Sequence, residues 1–536
     1  MIVRAIFLTA GIALWQTFYR FVEQADTRFV MNIGRYVLEH GIPRVDPFTV
    51  HEGLQLVAQQ WLSGVFFWET YKNFGLEGLL AVDYVFGAAA VIIFWRLCLM
   101  VSDGNKSAAF MMALAGGLFV APMIVPRPHI LSAVVFVAEV FLLEKFTRTG
   151  SAKFLLPLPV MSALLVNLHA AMWAMSLVLC LPFLFVKNVR HAKILLAAMA
   201  GIFLCGLMNP YGFDAMTYVV RSYGVDLINA IIPEMRTPSA HGLGGKIFYA
   251  TAALTIFAAA KSHAPWRYVL LGGGLMYLAV MHWRNVMLFF LAGTLPIAWA
   301  ARNFSAEKFF GNRFRPLMMA TFFMLLAVNT LMITLTLQDV DKVPAPLMIL
   351  FAAALMSVLW ILFAVKAESR VLHPTILPRK NFLLLMTALV VCGIFIATSD
   401  DKRLPPPKTV TDAIGFILRT ERPEDVRLYV EQGYGGLAGE FGIRYYIDSR
   451  SEVFLKANNA RADILAEYTD FMDGRINYRD FFARYKFTHI ILTSEEPFLL
   501  DELTADKSFR VIYESERAEG SAVVRCKVFV PKEFHP

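Results

Sequence analysis

The chain has 536 residues, of which 57% are hydrophobic and 17% charged, with a mean hydropathy of +0.55; soluble domains carry about 25% charged residues, so the composition excludes an ordinary soluble enzyme and indicates a membrane protein. The net charge of +8 is uneven: residues 1–400 hold 30 Lys+Arg against 19 Asp+Glu, and the residues from Asp401 onward hold 20 against 23. A basic balance confined to the apolar part reflects cytoplasmic loops and anionic lipid, and no basic patch with interleaved aromatics suggests nucleic acid.

Met1-Ile-Val-Arg4 opens an apolar run that lacks a small-x-small cleavage site and passes directly into Trp15, Phe18 and Tyr19. It reads as an uncleaved first span over residues 4–21. Further apolar stretches predict spans at 77–99, 107–125, 129–145, 153–168, 170–186, 193–208, 246–261, 266–281, 285–300, 315–337, 345–366 and 381–398, thirteen in all. Asn167-Leu-His169 either bends one long segment or separates two short spans. With the N-terminus inside, the six inner connections are all basic, from Arg96/Lys106 to Arg379/Lys380, while the short outer turns are poor in Lys and Arg. This places the loops 22–76 and 209–245, and everything after residue 400, outside. The five cysteines offer neither a disulfide framework nor a CxxC metal site.

Directly after the first span the chain reads Gln24-Ala-Asp26-Thr-Arg28, then Gly41-Ile-Pro43-Arg-Val-Asp46-Pro47-Phe48, then Gln60-Trp61-Leu62. Acids and a histidine at a membrane surface are costly and therefore candidates for chemistry. Asp26 reads either as a proton acceptor or as an interfacial N-cap for a helix over Arg28–Glu39. Asp46 precedes a proline and reads as a turn-forming residue or as a ligand to a metal or substrate. Asp26, Asp46, His51 and Glu52 together offer an oxygen-rich set for a divalent cation, magnesium or manganese. Trp61, Trp68 and Tyr71 read as interfacial anchors or as a stacking surface for sugar.

Later landmarks fall at outer helix ends. Arg127, held between Pro126 and Pro128, suits a phosphate by charge-assisted hydrogen bonds, or snorkels at the interface. His129, Asn167 and His169 join Asp26 around one cavity or are simply buried and hydrogen-bonded. Asn209-Pro-Tyr-Gly212 is a turn. Glu234 and Arg236, in a proline-bracketed loop, bind substrate or pair with each other. Arg284, in His282-Trp-Arg284-Asn285, is a second phosphate candidate. Asp83 lies alone inside a span.

After the stiff Leu404-Pro-Pro-Pro407 spacer, helical and strand patterns alternate: helices over Thr411–Arg419, Asn458–Phe471 and Phe498–Leu503, strands over Val426–Val430, Ile443–Ile447, Thr488–Leu492, Phe509–Tyr513 and Ala522–Phe529. This predicts an α/β domain with its own core over 401–536, beside a transmembrane domain over 1–400. No phosphate-binding GxGxxG lies between strand and helix there, and Gly433-Tyr-Gly-Gly436 serves a turn or close packing.

The order of these motifs, an acid just past the first span, G-x-P-x-x-D-P-F, W-L, Arg-Pro-His129, Asn167-Leu-His169, Asn209-Pro-Tyr-Gly212, Pro-Glu234-Met-Arg-Thr-Pro and His282-Trp-Arg284, resembles the polytopic glycosyltransferase C (GT-C) superfamily, in the general plan of family 39 and the aminoarabinose transferases. The resemblance implies an α-helical polytopic membrane protein of about 13 spans with a C-terminal extracytoplasmic α/β domain. It implies a bacterial inner-membrane enzyme, N-terminus cytoplasmic and C-terminal domain periplasmic, that passes a sugar from a polyprenyl-phosphate donor to an envelope glycan, lipid or protein. Asp26 would be the catalytic base, and Arg127, His129, His169, Glu234, Arg284, Asp46 and His51 would bind substrate. A single Thr follows Asp26 where the family commonly pairs two acids. A lipid-linked glycan polymerase or ligase, and a non-catalytic transporter or assembly protein of glycan export, are the alternatives.

Overall fold

The structure is a computed structural model that describes Leu8 and residues 25–185, 188–222, 225–304, 408–519 and 522–532. The expected spans at 4–21, 315–337, 345–366 and 381–398 lie outside these residues, apart from Leu8. The described part of residues 1–400 is almost wholly helical. Among the described residues five helices are long and apolar enough to cross a membrane, including Trp61–Val101, Lys106–Met123, Val189–Gly206 and Leu243–Lys261. Ala152–Leu168, Ala170–Leu184 and Trp266–Met281 are shorter apolar helices.

Two expectations are refined. The described residues of the outer loop 22–76 are largely helical: they contain the helix Ala25–His40, longer than the segment expected over Arg28–Glu39, and the first turns of the helix that begins at Trp61. That second helix changes direction at Gly75, whose φ of 63° and ψ of −154° are left to glycine by sterics, so the apolar run expected from residue 77 starts directly after the break. The ambiguous segment 153–186 is two helices, interrupted at His169 (φ −161°, ψ 73°).

Ala25–His40 is strongly amphipathic, and its early residues Thr27–Gly34 are buried. Gly34 crosses Gly64 of the following helix so closely that a Cβ on Gly34 would collide with the Gly64 carbonyl. Gly34→Ala is therefore expected to force these helices apart and cost about 1–3 kcal/mol, the usual penalty of overpacking. A thermal melt of the purified variant with no downward shift would contradict that packing.

The C-terminal residues form one five-stranded sheet in the order β2-β1-β3-β5-β4. The strands are β1 Arg427–Tyr429, β2 Arg444–Tyr445, β3 His489–Thr493, β4 Phe509–Glu519 and β5 Ala522–Pro531. β1 pairs in parallel with β2 and β3, and β5 runs antiparallel to β3 and β4. All five residues of β3 are buried, as expected of a central strand covered on both faces. The helix expected over Asn458–Phe471 is split into Lys456–Asn459 and Ile464–Met472, with Ala460 left-handed between them. Two elements were not anticipated, the helices Gly435–Glu440 and Tyr478–Tyr485.

The two parts are in intimate contact. Ala25–His40 packs on Gly435–Glu440: Asn32 Nδ2 donates to the Gly436 carbonyl at 2.7 Å, and Arg35 donates to the carbonyls of Glu440 and Gly439 at 2.7 and 2.9 Å. Arg28 pairs with Glu440. Gly436 is needed here for close approach, since a Cβ would press on Arg28 and the Phe29 nitrogen. Beyond this helix, Phe48–Val50 lies along the outer edge of β2, with Val50 N donating to Tyr445 O at 2.9 Å and Tyr445 N to Phe48 O at 3.3 Å. The pairing is parallel, Thr49 opposite Tyr445, and closes an otherwise open sheet edge.

A candidate active-site cavity

Asp26 stands in the first turn of Ala25–His40, and Arg127 immediately precedes the helix Pro128–Thr149. Pro128 takes the first helical position, where a missing N–H is harmless, and the residue before it is held extended (φ −127°, ψ 153°). Arg127 is thereby aimed at two carboxylates at once. It pairs with Asp26 and forms a bidentate contact with Glu234, Nη1 to Oε2 at 3.1 Å and Nη2 to Oε1 at 3.2 Å. Glu234 also faces Arg284, at 3.9 Å. Acid and guanidinium therefore alternate along Asp26, Arg127, Glu234 and Arg284. Arg236, the other partner weighed for Glu234, instead donates to the Ala230 carbonyl.

Burial works against ionisation of Glu234, but the Arg127 and Arg284 guanidiniums outweigh it and hold the carboxyl at about 2. Its folded value lies below the ordinary 4.5, so the bridge stabilises the fold above pH 4.5 and loses that contribution as pH falls through about 2. An infrared carboxyl band that is absent from Glu234→Gln should accordingly emerge only near pH 2. Its appearance near pH 4.5 would refute the paired geometry.

These side chains line a cavity with two joined compartments. The inner one, about 180 Å³, is walled by Asp26, Arg127, His129, His169, Glu234 and Arg284, with Phe29, Phe136, Met287 and Leu288 on its apolar side. The outer one, about 510 Å³, shares Asp26, Gln60, Arg127, His169, Glu234 and Arg284 and adds Gln59, Tyr218, Gln432, Ser449 and Glu452. Both histidines are also tied into the fold. His129 Nε2 donates to the Met123 carbonyl at 2.7 Å, which fixes that nitrogen as protonated, and His169 Nδ1 lies 2.9 Å from Ser132 Oγ.

Six of the eight residues singled out in the sequence thus meet in one place. The other two do not reach it. Asp46 accepts from Arg450 Nη1 at 2.7 Å and from Thr49 Oγ1 at 2.7 Å. His51 Nε2 lies 2.8 Å from the Tyr446 carbonyl, and its ring packs on Tyr446 and Tyr485; burial holds its pKa below the ordinary value. Asp46 and His51 fasten the first loop to the C-terminal sheet. Asn167 is likewise a tie, accepting from Trp61 Nε1 at 2.9 Å and donating to the Met208 carbonyl at 2.8 Å. Asn209 caps its own turn, with Tyr211 N donating to its Oδ1 at 2.8 Å. Asp83 is buried, and its Oδ1 has no partner among the described residues.

The cation set Asp26, Asp46, His51 and Glu52 does not assemble, because Asp26 faces Arg127 while Asp46 and His51 sit at the sheet. Among the described residues no group of three or more His, Cys, Asp or Glu side chains is placed to hold a metal ion. The sequence suggests a lid or acceptor-binding role for the C-terminal part but does not single out the residues it brings to the cavity, Gln432, Ser449, Ser451 and Glu452. Glu452 accepts from Gln59 Nε2 at 2.8 Å, and burial raises its pKa. No motif marks Glu452; only the docking of the C-terminal part brings it beside Asp26.

No family model matches the sequence, and no curated protein does. Solved structures do share its fold. ArnT from Cupriavidus metallidurans in the apo state aligns with a TM-score of 0.54 at 13% identity, over 97% of this chain and 97% of that one. The same protein bound to undecaprenyl phosphate gives 0.52 at 12% identity, with the same coverage of each chain, 97%. The archaeal oligosaccharyltransferase AglB from Archaeoglobus fulgidus, in complex with an inhibitory peptide and a dolichol-phosphate, gives 0.51 at 10% identity, over 91% of this chain and 69% of that chain. At these identities the likeness is one of fold.

Proposed function

The chain has a GT-C-like fold, and from that premise we propose that it is a membrane glycosyltransferase moving a sugar from a polyprenyl-phosphate donor to an acceptor hydroxyl at the outer face of a bacterial inner membrane. Residues 1–400 form the membrane part and residues 401–536 an extracytoplasmic roof. The observation that carries this reading is the alternating row Asp26, Arg127, Glu234, Arg284 around a cavity whose inner wall is apolar. Arg127 and Arg284 take the donor phosphate, and Phe29, Phe136, Met287 and Leu288 take the first part of the lipid. The solved relatives of this fold that hold undecaprenyl phosphate or a dolichol-phosphate support that ligand class.

In the transfer, Asp26 accepts the proton of the acceptor hydroxyl. The freed oxygen attacks the anomeric carbon opposite the phosphate, the carbon–oxygen bond to phosphate breaks, and its electron pair leaves with the polyprenyl phosphate. Configuration at that carbon is inverted. In the free chain Arg127 is divided between Asp26 and Glu234. An arriving phosphate competes for the same guanidinium and loosens its hold on Asp26, so donor binding readies the base.

The test is donor binding. A hydrogen bond to a charged group is worth about 1.5–3 kcal/mol, so Arg127→Ala is expected to weaken undecaprenyl phosphate binding about 10–100-fold. Equal affinity in calorimetry of the folded variant would take the phosphate away from Arg127 and with it the donor assignment.

A further inference from the structure

The outer compartment is the larger of the two, and it alone takes part of its wall from the C-terminal part. Beside apolar side chains such as Val219, Ile228 and Ile231, its added wall carries the amide of Gln59 and the hydroxyl of Tyr218, and the C-terminal part supplies Gln432, Ser449, Ser451 and Glu452. Its two arginines are already committed to Asp26 and Glu234, while Glu452 adds a carboxyl. Glu452 is held in place: Gln59 donates to it at 2.8 Å and is itself fixed by Ala171 N, which donates to Gln59 Oε1 at 3.1 Å.

Two more atoms of this wall are out of place in a finished interior. Gln60 Oε1 and Ser449 Oγ are buried, and neither has a hydrogen-bond partner among the described residues. An unmet buried polar atom costs about 1–3 kcal/mol, and native proteins keep few of them. The amide oxygen requires a donor, and the serine hydroxyl is best met by a group that both donates and accepts. A sugar hydroxyl satisfies both. A phosphate or carboxylate has no proton for Gln60 and meets Glu452 with like charge. At about 510 Å³ the compartment is within the size range of small-molecule sites.

We propose that Glu452, Gln60 and Ser449 form a subsite for a neutral saccharide, with Glu452 the specificity-determining residue, so that the acceptor is a glycan held beneath the C-terminal roof. The identification of that saccharide as acceptor rests on the transferase reading; the subsite itself does not. Asp26 lines both compartments, which puts the base between the saccharide and the donor phosphate.

The full chain in nanodiscs would be titrated with neutral disaccharides (maltose, cellobiose, α-1,2-mannobiose) and with glucuronate-ended disaccharides of matching size, followed by saturation-transfer NMR. At least one neutral probe is expected to bind, and the acidic ones to bind more weakly. Glu452→Gln should weaken the neutral probe tenfold or more. Ser449→Ala, which removes an oxygen with no partner among the described residues and leaves the packing intact, should weaken it several-fold. No binding by the native chain, preference for the acidic probes, or unchanged affinity in both variants would each overturn the subsite. Undecaprenyl phosphate is titrated on the same samples: if it fails to bind while the saccharide binds, the donor assignment falls and the subsite stands.

Discussion

Asp26→Asn should lower turnover about 10²–10⁴-fold, the usual contribution of a positioned base. Asparagine keeps the shape of the side chain but cannot take up the acceptor proton. Removing the carboxylate also frees Arg127 from one of its two acids, so undecaprenyl phosphate should bind the variant at least as well as it binds the native chain. Lost turnover with retained donor binding separates a missing base from a damaged site. The assay is release of radiolabelled sugar from a panel of polyprenyl-phosphate sugars in the presence of a membrane-glycan extract. Equal turnover by both proteins would remove Asp26 from the reaction and direct attention to Glu234 and Glu452, the other carboxyls on the cavity wall.

The largest effect on stability is expected at Arg450. It is 2% exposed, and the carboxylates of Asp46 and Asp448 beside it are 0% exposed. Nη1 reaches Asp46 at 2.7 Å, Nε reaches Asp448 at 2.8 Å, and Tyr445 Oη donates to Asp448 at 2.5 Å. The guanidinium also lies over the Phe48 ring, 5.2 Å from its centre. Arg450→Ala leaves two buried carboxylates without their cation, with only neutral donors such as Thr49 and Tyr445 beside them, and breaking a buried ion pair in this way typically costs about 3–5 kcal/mol. Hydrogen exchange should then accelerate at Val50 and Tyr445, the residues that join the first loop to the sheet. Unchanged protection there would show that the ion cluster does not hold the two parts together. Asp46→Asn, which removes one of the two charges, should give a smaller loss.

Much of the helical plan could be read in advance because apolar runs and their flanking charges are local signals. The segments 107–125, 129–145, 193–208 and 246–261 correspond to helices at Lys106–Val120, Pro128–Thr149, Val189–Gly206 and Leu243–Lys261. The cavity residues were legible for a related reason. Arg127, His129, His169 and Arg284 are polar groups at the ends of apolar segments, where a charge is expensive and stands out. Asp46 and His51 stood out in the same way and proved to be fasteners, because the sequence marks an unusual residue without saying what it will face. Glu452 was invisible for the opposite reason. It is one acid among many in a polar stretch, and its importance comes from a docking geometry that no local pattern encodes. Tyr478–Tyr485 was overlooked because its short run, Tyr-Arg-Asp-Phe-Phe-Ala-Arg-Tyr, has low overall hydrophobicity, and the two phenylalanines that anchor it are adjacent.

The pairing of Phe48–Val50 with β2 bears on how the protein is made. Asp46 and Arg450 are 404 residues apart in the chain, so the first loop emerges long before the strand that will receive it. Until then the loop has no strand partner, and the sheet, once formed, would present a bare edge to any other extended chain. A fragment comprising residues 408–532 expressed alone would carry that open edge together with buried Asp448 and Arg450 lacking Asp46, and should tend to self-associate. Supplying residues 41–60 as a separate peptide ought to restore it to a monomer, making the tail a receptor for its own N-terminal segment.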